Sequence, residues 1–226
     1  RDFSVNDLFA TGLPVSILLG SLALLLATVI GVILGACAAL RQNSSLDYAI
    51  VGLATFGITT PNFVVAPLLS LFFGVLLGWL PAGGWSQTDP IYWVLPVLTL
   101  ALPQVAVIAR LVRGATVEAL RSNHVRTARA YGLPARTVVI KHALRAAMLP
   151  AVSYLGPTAA GLLTGSVVVE TIFGLPGIGR YFVQGALGRD YTLVMGTVVV
   201  IALFVILFNL VVDLLYTFLD PRVRYD

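Results

Sequence analysis

The side chains best equipped for chemistry stand together in the segment SNHVRTARAYGLPARTVVIKHALR, residues 122–145. Here Arg126, Arg129, Arg136, Lys141 and Arg145 follow Arg121 and are interspersed with His124 and His142. No acidic residue occurs between Glu118 and Glu170, so these cations are not neutralised locally. Cations of this kind suit recognition of an acidic surface, and two such surfaces fit: another protein's groove, or the anionic headgroups of a bilayer. Metal binding and catalysis fit poorly. The two histidines have no Cys or carboxylate near them, which is not a ligand spacing for a transition metal. A phosphate loop needs Gly-x-x-x-x-Gly-Lys-Ser/Thr, but the only lysine, Lys141, follows Val139 and Ile140 and precedes His142. GLPGIG, residues 174–179, has neither the order of that loop nor a strand before it, and reads as a tight turn at a helix end. With no Gly-x-Ser-x-Gly elbow and no paired carboxylates, no catalytic residue and no metal ligand is assigned.

These residues sit in an oily chain. Of its 226 residues 58% are hydrophobic and 11% charged, which excludes a soluble globular domain and defines an all-α integral membrane protein. Five runs are long enough to cross a bilayer as helices, at about 13–40, 46–80, 91–112, 146–173 and 191–219, within one membrane domain over 1–226. Pro61, Pro67, Pro96 and Pro103 read as kinks that neighbouring helices accommodate, and the strict alternation of a β-barrel is absent. Cations bordering apolar spans set topology, so the net charge of +4 does not indicate nucleic acid. Placing the loops after the first, third and fifth spans in the cytoplasm gives that side 11 of the 14 cations, leaving Arg1, Arg180 and Arg189 opposite. Arg110 and Arg113 then suit the inner end of the third helix, snorkelling to headgroups. Cys37, the only cysteine, excludes an intrachain disulfide and reads as a small buried residue. The polar, amphipathic start RDFSVNDLFATG lacks a methionine, which reads as a chain missing a preceding segment; no signal peptide is visible.

Small residues at every fourth position, Ala27, Gly31, Gly35 and Ala39 in the first helix and Gly161 and Gly165 in the fourth, predict close helix packing. Polar residues in or beside the spans, notably Asn62, Gln104, Thr164, Glu170 and Asp213, serve either a translocation pathway or helix-to-helix hydrogen bonds. An ion-coupled carrier would depend on Glu170 and Asp213, which stand towards helix ends and make a thin proton relay.

The basic segment, about 116–145, also carries helix punctuation. Ser122 or Asn123 is a suitable N-cap, Val125–Tyr131 has helical propensity, and Gly132-Leu133-Pro134 is a stop signal. Pro134 then opens a second helical segment leading into the fourth span. Thr127, Ala128 and Ala130 are small enough to lie in a partner's groove, with Arg126 and Arg129 flanking them.

RTARAYG followed by LPARTVVIKHALRAAMLP resembles the EAA loop of ABC importer permeases, in the form found in the oligopeptide, dipeptide and nickel branch. TGSVVVETIFGLPGIGRYFVQGALGRDY, NLVVDLLYTFLDPRVRY, DFSVNDLFATGLPVS and TTPNFVVAPLL resemble the B-type permeases of that branch, so the likeness covers nearly the whole chain. The Glu-Ala-Ala opening reads Arg126-Thr127-Ala128 here, the later Leu-Pro reads Leu144-Arg145, and the motif glycine is matched by Gly132. The resemblance implies a multi-pass permease of a bacterial inner membrane, with one further helix before the five visible and a cytoplasmic loop and C-terminus. It implies a coupling helix formed by Val125, Arg126, Thr127, Ala128, Arg129, Ala130, Gly132 and Leu133. It further implies a homologous second permease, two cytoplasmic ATPase subunits that hold ATP and Mg, an external binding protein, and surrounding lipid. The implied cargo is an oligopeptide, with dipeptides, nickel chelates or a peptide antibiotic as alternatives.

Overall fold

The structure of the protein, a computed structural model, describes residues 5–219, with side chains as far as Leu214. Arg1, Arg222 and Arg224 of the charge count, and the DPRVRY end of the C-terminal run, lie outside these residues.

Among the described residues all regular secondary structure is helical, without a strand. The helices are α1 Val5–Leu40, α2 Ser45–Thr59, α3 Asn62–Leu69, α4 Ile91–Arg121, α5 Asn123–Ala130, α6 Ala135–Thr137, α7 Arg145–Leu163, α8 Val167–Phe173, α9 Ile178–Leu187 and α10 Tyr191–Leu219. Wide π-helical turns continue α3 over Ser70–Leu76 and join α6 to α7 over Val138–Leu144. Four stretches are long and apolar enough to cross a membrane: Val5–Leu40, Ile91–Arg121, Ala135–Leu163 and Tyr191–Leu214. The pair Ser45–Thr59 and Asn62–Leu76 makes a fifth if it is one span bent by 105°. The expected polytopic all-α architecture is therefore present.

Several boundaries differ from the expected ones, each for a local reason. The polar start is already helix from Val5, its Thr11 hydroxyl donating to the Asp7 and Leu8 carbonyls at 3.1 and 3.0 Å. The 46–80 run is broken, not merely kinked. Pro61 has no N–H to continue α2 and forces Thr60 away from helical geometry, and at ψ 148° it instead caps α3. Pro67 lies inside α3 and precedes the wide turn that begins at Ser70. The third helix continues past Val112 to Arg121, through both Pro96 and Pro103. The run 146–173 is two helices, because Gly165 at φ +90° adopts a left-handed conformation that ends α7, and Ser166 then starts α8.

The chain divides into two compact units. One comprises Arg1–Leu26, Thr60–Pro103 and Pro157–Asn209; the other comprises Ala27–Thr59, Gln104–Gly156 and Leu210–Asp226. In the second unit, the small residues of α1 do what their spacing predicts. Ala27 and Ala39 are buried, and Gly35 lies so close to α4 that a Cβ there would stand 2.5 Å from the Ala109 carbonyl oxygen. The pattern in the fourth span does not pack that way. Gly161 has no neighbour a Cβ would meet, and Gly165 is outside the helix. In the first unit the close approach is made by Gly20, whose Cβ would meet the backbone of Leu162. Cys37, expected to be buried, is exposed on α1.

Candidate functional site

The basic segment folds into a short helix with a defined stop. Ser122, at ψ 157°, is the N-cap of α5, but its hydroxyl donates to the Ala119 carbonyl at 2.6 Å and also contacts His124. At the other end Gly132 N–H donates to Arg129 O at 2.9 Å and Leu133 N–H donates to Ala128 O at 3.3 Å, with Gly132 at φ +73°. This pair of bonds is a Schellman stop, and the left-handed residue it needs is why glycine stands there. Pro134 follows as N-cap of α6.

Burial divides α5 into two faces. Val125 and Ala128, three residues apart and therefore on one side, are packed with Ala119, Val138 and Ala143, with Leu120 against the cluster. The helix is thus fastened to the end of α4 and to the π-helical turn after α6. Asn123, Arg126, Thr127, Arg129, Ala130 and Tyr131 are exposed, Tyr131 at 82%. Of the residues expected in the coupling helix, Val125 and Ala128 face their own chain. Arg126, Thr127, Arg129, Ala130, Gly132 and Leu133 remain on the exposed side.

Of the other polar positions, Gln104 and Thr164 are drawn into structural contacts. Gln104 Oε1 accepts from the Tyr154 hydroxyl at 2.6 Å, a hydrogen bond between α4 and α7. Thr164 is buried and its hydroxyl donates back to Ala160 O at 2.8 Å. Asn62 is half-buried at the start of α3, with its Oδ1 buried and without a hydrogen-bond partner. Asp213 stands on an exposed face of α10.

Glu170 is buried at 3% exposure and acts as a helix cap. Its Oε1 accepts from the Ser16 hydroxyl at 2.8 Å and its Oε2 from the Arg180 N–H at 2.9 Å, while Ser16 Oγ accepts from Ile178 N–H at 3.1 Å. The carboxylate and the serine therefore satisfy free N–H groups in the first turn of α9, where negative charge is favoured. A Cβ at Gly165 or Gly177 would collide with this carboxylate, which explains glycines on both sides of α8. The cavity beside Glu170, lined also by Leu19, Leu100 and Leu162, is about 10 Å³, no larger than a water requires. It is no peptide pathway.

Asp47 escaped sequence reasoning. It is fully buried in the first turn of α2, and Arg113 Nε and Nη2 donate to its two oxygens at 2.5 and 2.7 Å. The Asn43 N–H donates to Asp47 Oδ2 at 2.9 Å, and Asp47 N–H donates to the Ser44 hydroxyl at 3.3 Å. Arg113 consequently is not free to snorkel as expected. The available signal was Ser44-Ser45-Leu46-Asp47, an N-terminal helix signature whose acid lies at the edge of a run judged by hydropathy alone.

The sequence matches the family described as binding-protein-dependent transport system inner membrane component over residues 12–225. It is 50% identical over 225 residues to the oligopeptide transport system permease protein OppB of Haemophilus influenzae, covering 100% of this chain and 74% of that protein. It is 51% identical to OppB of Escherichia coli K12 with the same coverage. Against the dipeptide transport system permease protein DppB of Bacillus subtilis it is 47% identical over 221 residues, covering 98% of this chain and 71% of that one. In three dimensions it resembles the inward-facing MetNI methionine ABC transporter with a TM-score of 0.78 at 18% identity, over 94% of this chain and 96% of that one.

Proposed function

Because the chain belongs to the family of inner-membrane components of binding-protein-dependent transport systems, we propose that it forms half of the pathway of an ATP-driven oligopeptide importer. In this reading α5 is the helix that an ATPase subunit grips. The observation that carries it is the two-faced build of α5: Val125 and Ala128 lock it to its own chain, while Arg126, Arg129, Thr127 and Tyr131 are left exposed in a segment without acids. A helix held this firmly transmits an applied displacement, and its cations suit an acidic cleft.

The permease itself is not the enzyme; ATP and Mg belong to two partner ATPase subunits, as the family's division of labour suggests. A homologous second permease completes the pathway, and α10 offers it surface: across residues 191–214 only Leu193, Thr197 and Val212 are buried within this chain. The excess of cations around α5 supports a cytoplasmic position for that loop and the C-terminus, with an external binding protein delivering cargo opposite. The OppB relatives favour oligopeptides, and the DppB relative keeps dipeptides as the alternative cargo. An ion-coupled carrier has less support, since Glu170 caps α9 and Asp47 is committed to Arg113.

The test is uptake of labelled peptides, two to about six residues long, into vesicles reconstituted with both permeases, the ATPases and the binding protein. Accumulation that requires ATP and the binding protein supports the proposal. Accumulation driven by a proton or sodium gradient without ATP would refute it.

A further inference from the structure

A buried ion pair seldom adds net stability, because desolvation of both charges offsets their attraction; its better-attested use is to fix one geometry. Asp47 and Arg113 form a pair buried on the carboxylate's side, the Arg113 side chain being 27% exposed, and its surroundings show which geometry is fixed. The carboxylate is held from its own side by Asn43 N–H, donated from a residue at φ +63°, and by the Ser44 contact at the start of α2. Both of its oxygens are then occupied by the planar fork of Arg113. A second, exposed tether runs parallel to it, Arg121 Nη2 donating to Gln42 Oε1 at 3.3 Å. The loop between α1 and α2 is thereby attached to the last turns of α4, 66 residues away in sequence. Only Ser122 separates α4 from α5, and Ala119 and Leu120 of α4 pack on Val125 and Ala128. All of these residues belong to one compact unit.

We infer that Asp47 and Arg113 are positioning residues of the transport cycle, forming the strut through which displacement of α5 and α4 moves the α1–α2 loop and the first turn of α2. This rests on the reading of α5 as the ATPase-engaging helix. The strut makes a specific demand on chemistry. Lysine keeps the charge of Arg113 but loses the fork that holds both oxygens, so it keeps attraction and loses rigidity.

The experiment measures peptide transported per ATP hydrolysed by the complete importer in vesicles, for the wild type, Arg113→Lys, Asp47→Asn and the exchange D47R/R113D. Assembled complex is quantified for each. The expected result is that Arg113→Lys assembles and hydrolyses ATP while its transport-to-hydrolysis ratio falls about fivefold or more, the scale of an ordinary coupling term. Partial recovery of the ratio in D47R/R113D over Asp47→Asn would strengthen the case. If Asp47→Asn does not assemble, Arg113→Lys decides the matter alone. A wild-type ratio in Arg113→Lys, or losses that only track the amount of assembled complex, would overturn the inference. Absence of ATP-driven uptake by the wild type in the same vesicles would instead refute the importer reading, and the inference with it.

Discussion

Replacing Ala128 by Leu and Ala130 by Leu places the same side chain two residues apart on α5, with opposite expected consequences. Ala128 is 6% exposed and enclosed by Val125, Val138 and Ala143, so three added carbons have no space. Overpacking of this kind costs about 1–3 kcal/mol, which converts to roughly a 5- to 150-fold increase in local opening. Ala130 is exposed, and a substitution there should change local stability by about 0.5 kcal/mol at most, near twofold. Hydrogen exchange of the α5 amides, and of Gly132 and Leu133 in its stop, reads this directly in purified protein without partner subunits. Ala128→Leu should accelerate those amides together and Ala130→Leu should leave them unchanged, while Ala130→Leu weakens binding of the ATPase subunits. Unchanged exchange in Ala128→Leu, or equal acceleration in both variants, would refute the assignment of inner and outer faces.

Gly132 needs a left-handed backbone, which costs an L-residue roughly 1–2 kcal/mol, so peptide transported per ATP should fall in the order Asn, Ala, Val at this position. A ratio independent of the residue at 132 would mean that the stop of α5 does not matter to coupling. Gly35→Ala should lower the thermal midpoint, because its Cβ would meet the Ala109 carbonyl and Val112. Gly52→Ala, where an added Cβ meets nothing beyond its own helix backbone within 4 Å, should leave the midpoint level or raise it. Glu170→Ala strands the Ser16 hydroxyl and the Arg180 N–H at about 1–3 kcal/mol each, a loss of several degrees, with Glu170→Gln between it and the wild type. Equal midpoints for wild type and Glu170→Ala would show that the carboxylate is not the cap of α9.

What the sequence disclosed followed from how local each signal was. The stop at Gly132 and the start near Ser122 depend on a few consecutive residues, and both are where the spacing predicts. The α1 glycines were readable because a fourfold repeat of small residues has one geometric use in a membrane helix. The same argument failed for Gly161 and Gly165, since a repeat cannot reveal that Gly165 serves a turn beside a buried carboxylate. The inner face of α5 depends on α4 and on the π-helical turn after α6, so Ala128, small enough for a partner's groove, was instead small enough for its own chain's core. Asp47 shows the limit most plainly. Its partner lies on another helix, and hydropathy hid the acid at the edge of an apolar run, where burial and pairing together make it informative.

The central claim, that the chain works as one permease of an ATP-driven importer gripped at α5, is tested most directly by purifying it gently from its native membranes and identifying its companions by mass spectrometry. The account predicts a homologous permease and Walker-motif ATPases in fixed stoichiometry, with the ATPases lost on Ala130→Trp and the second permease retained. A chain that repeatedly purifies alone and stable, or ATPases that remain bound to Ala130→Trp as to the wild type, would contradict it.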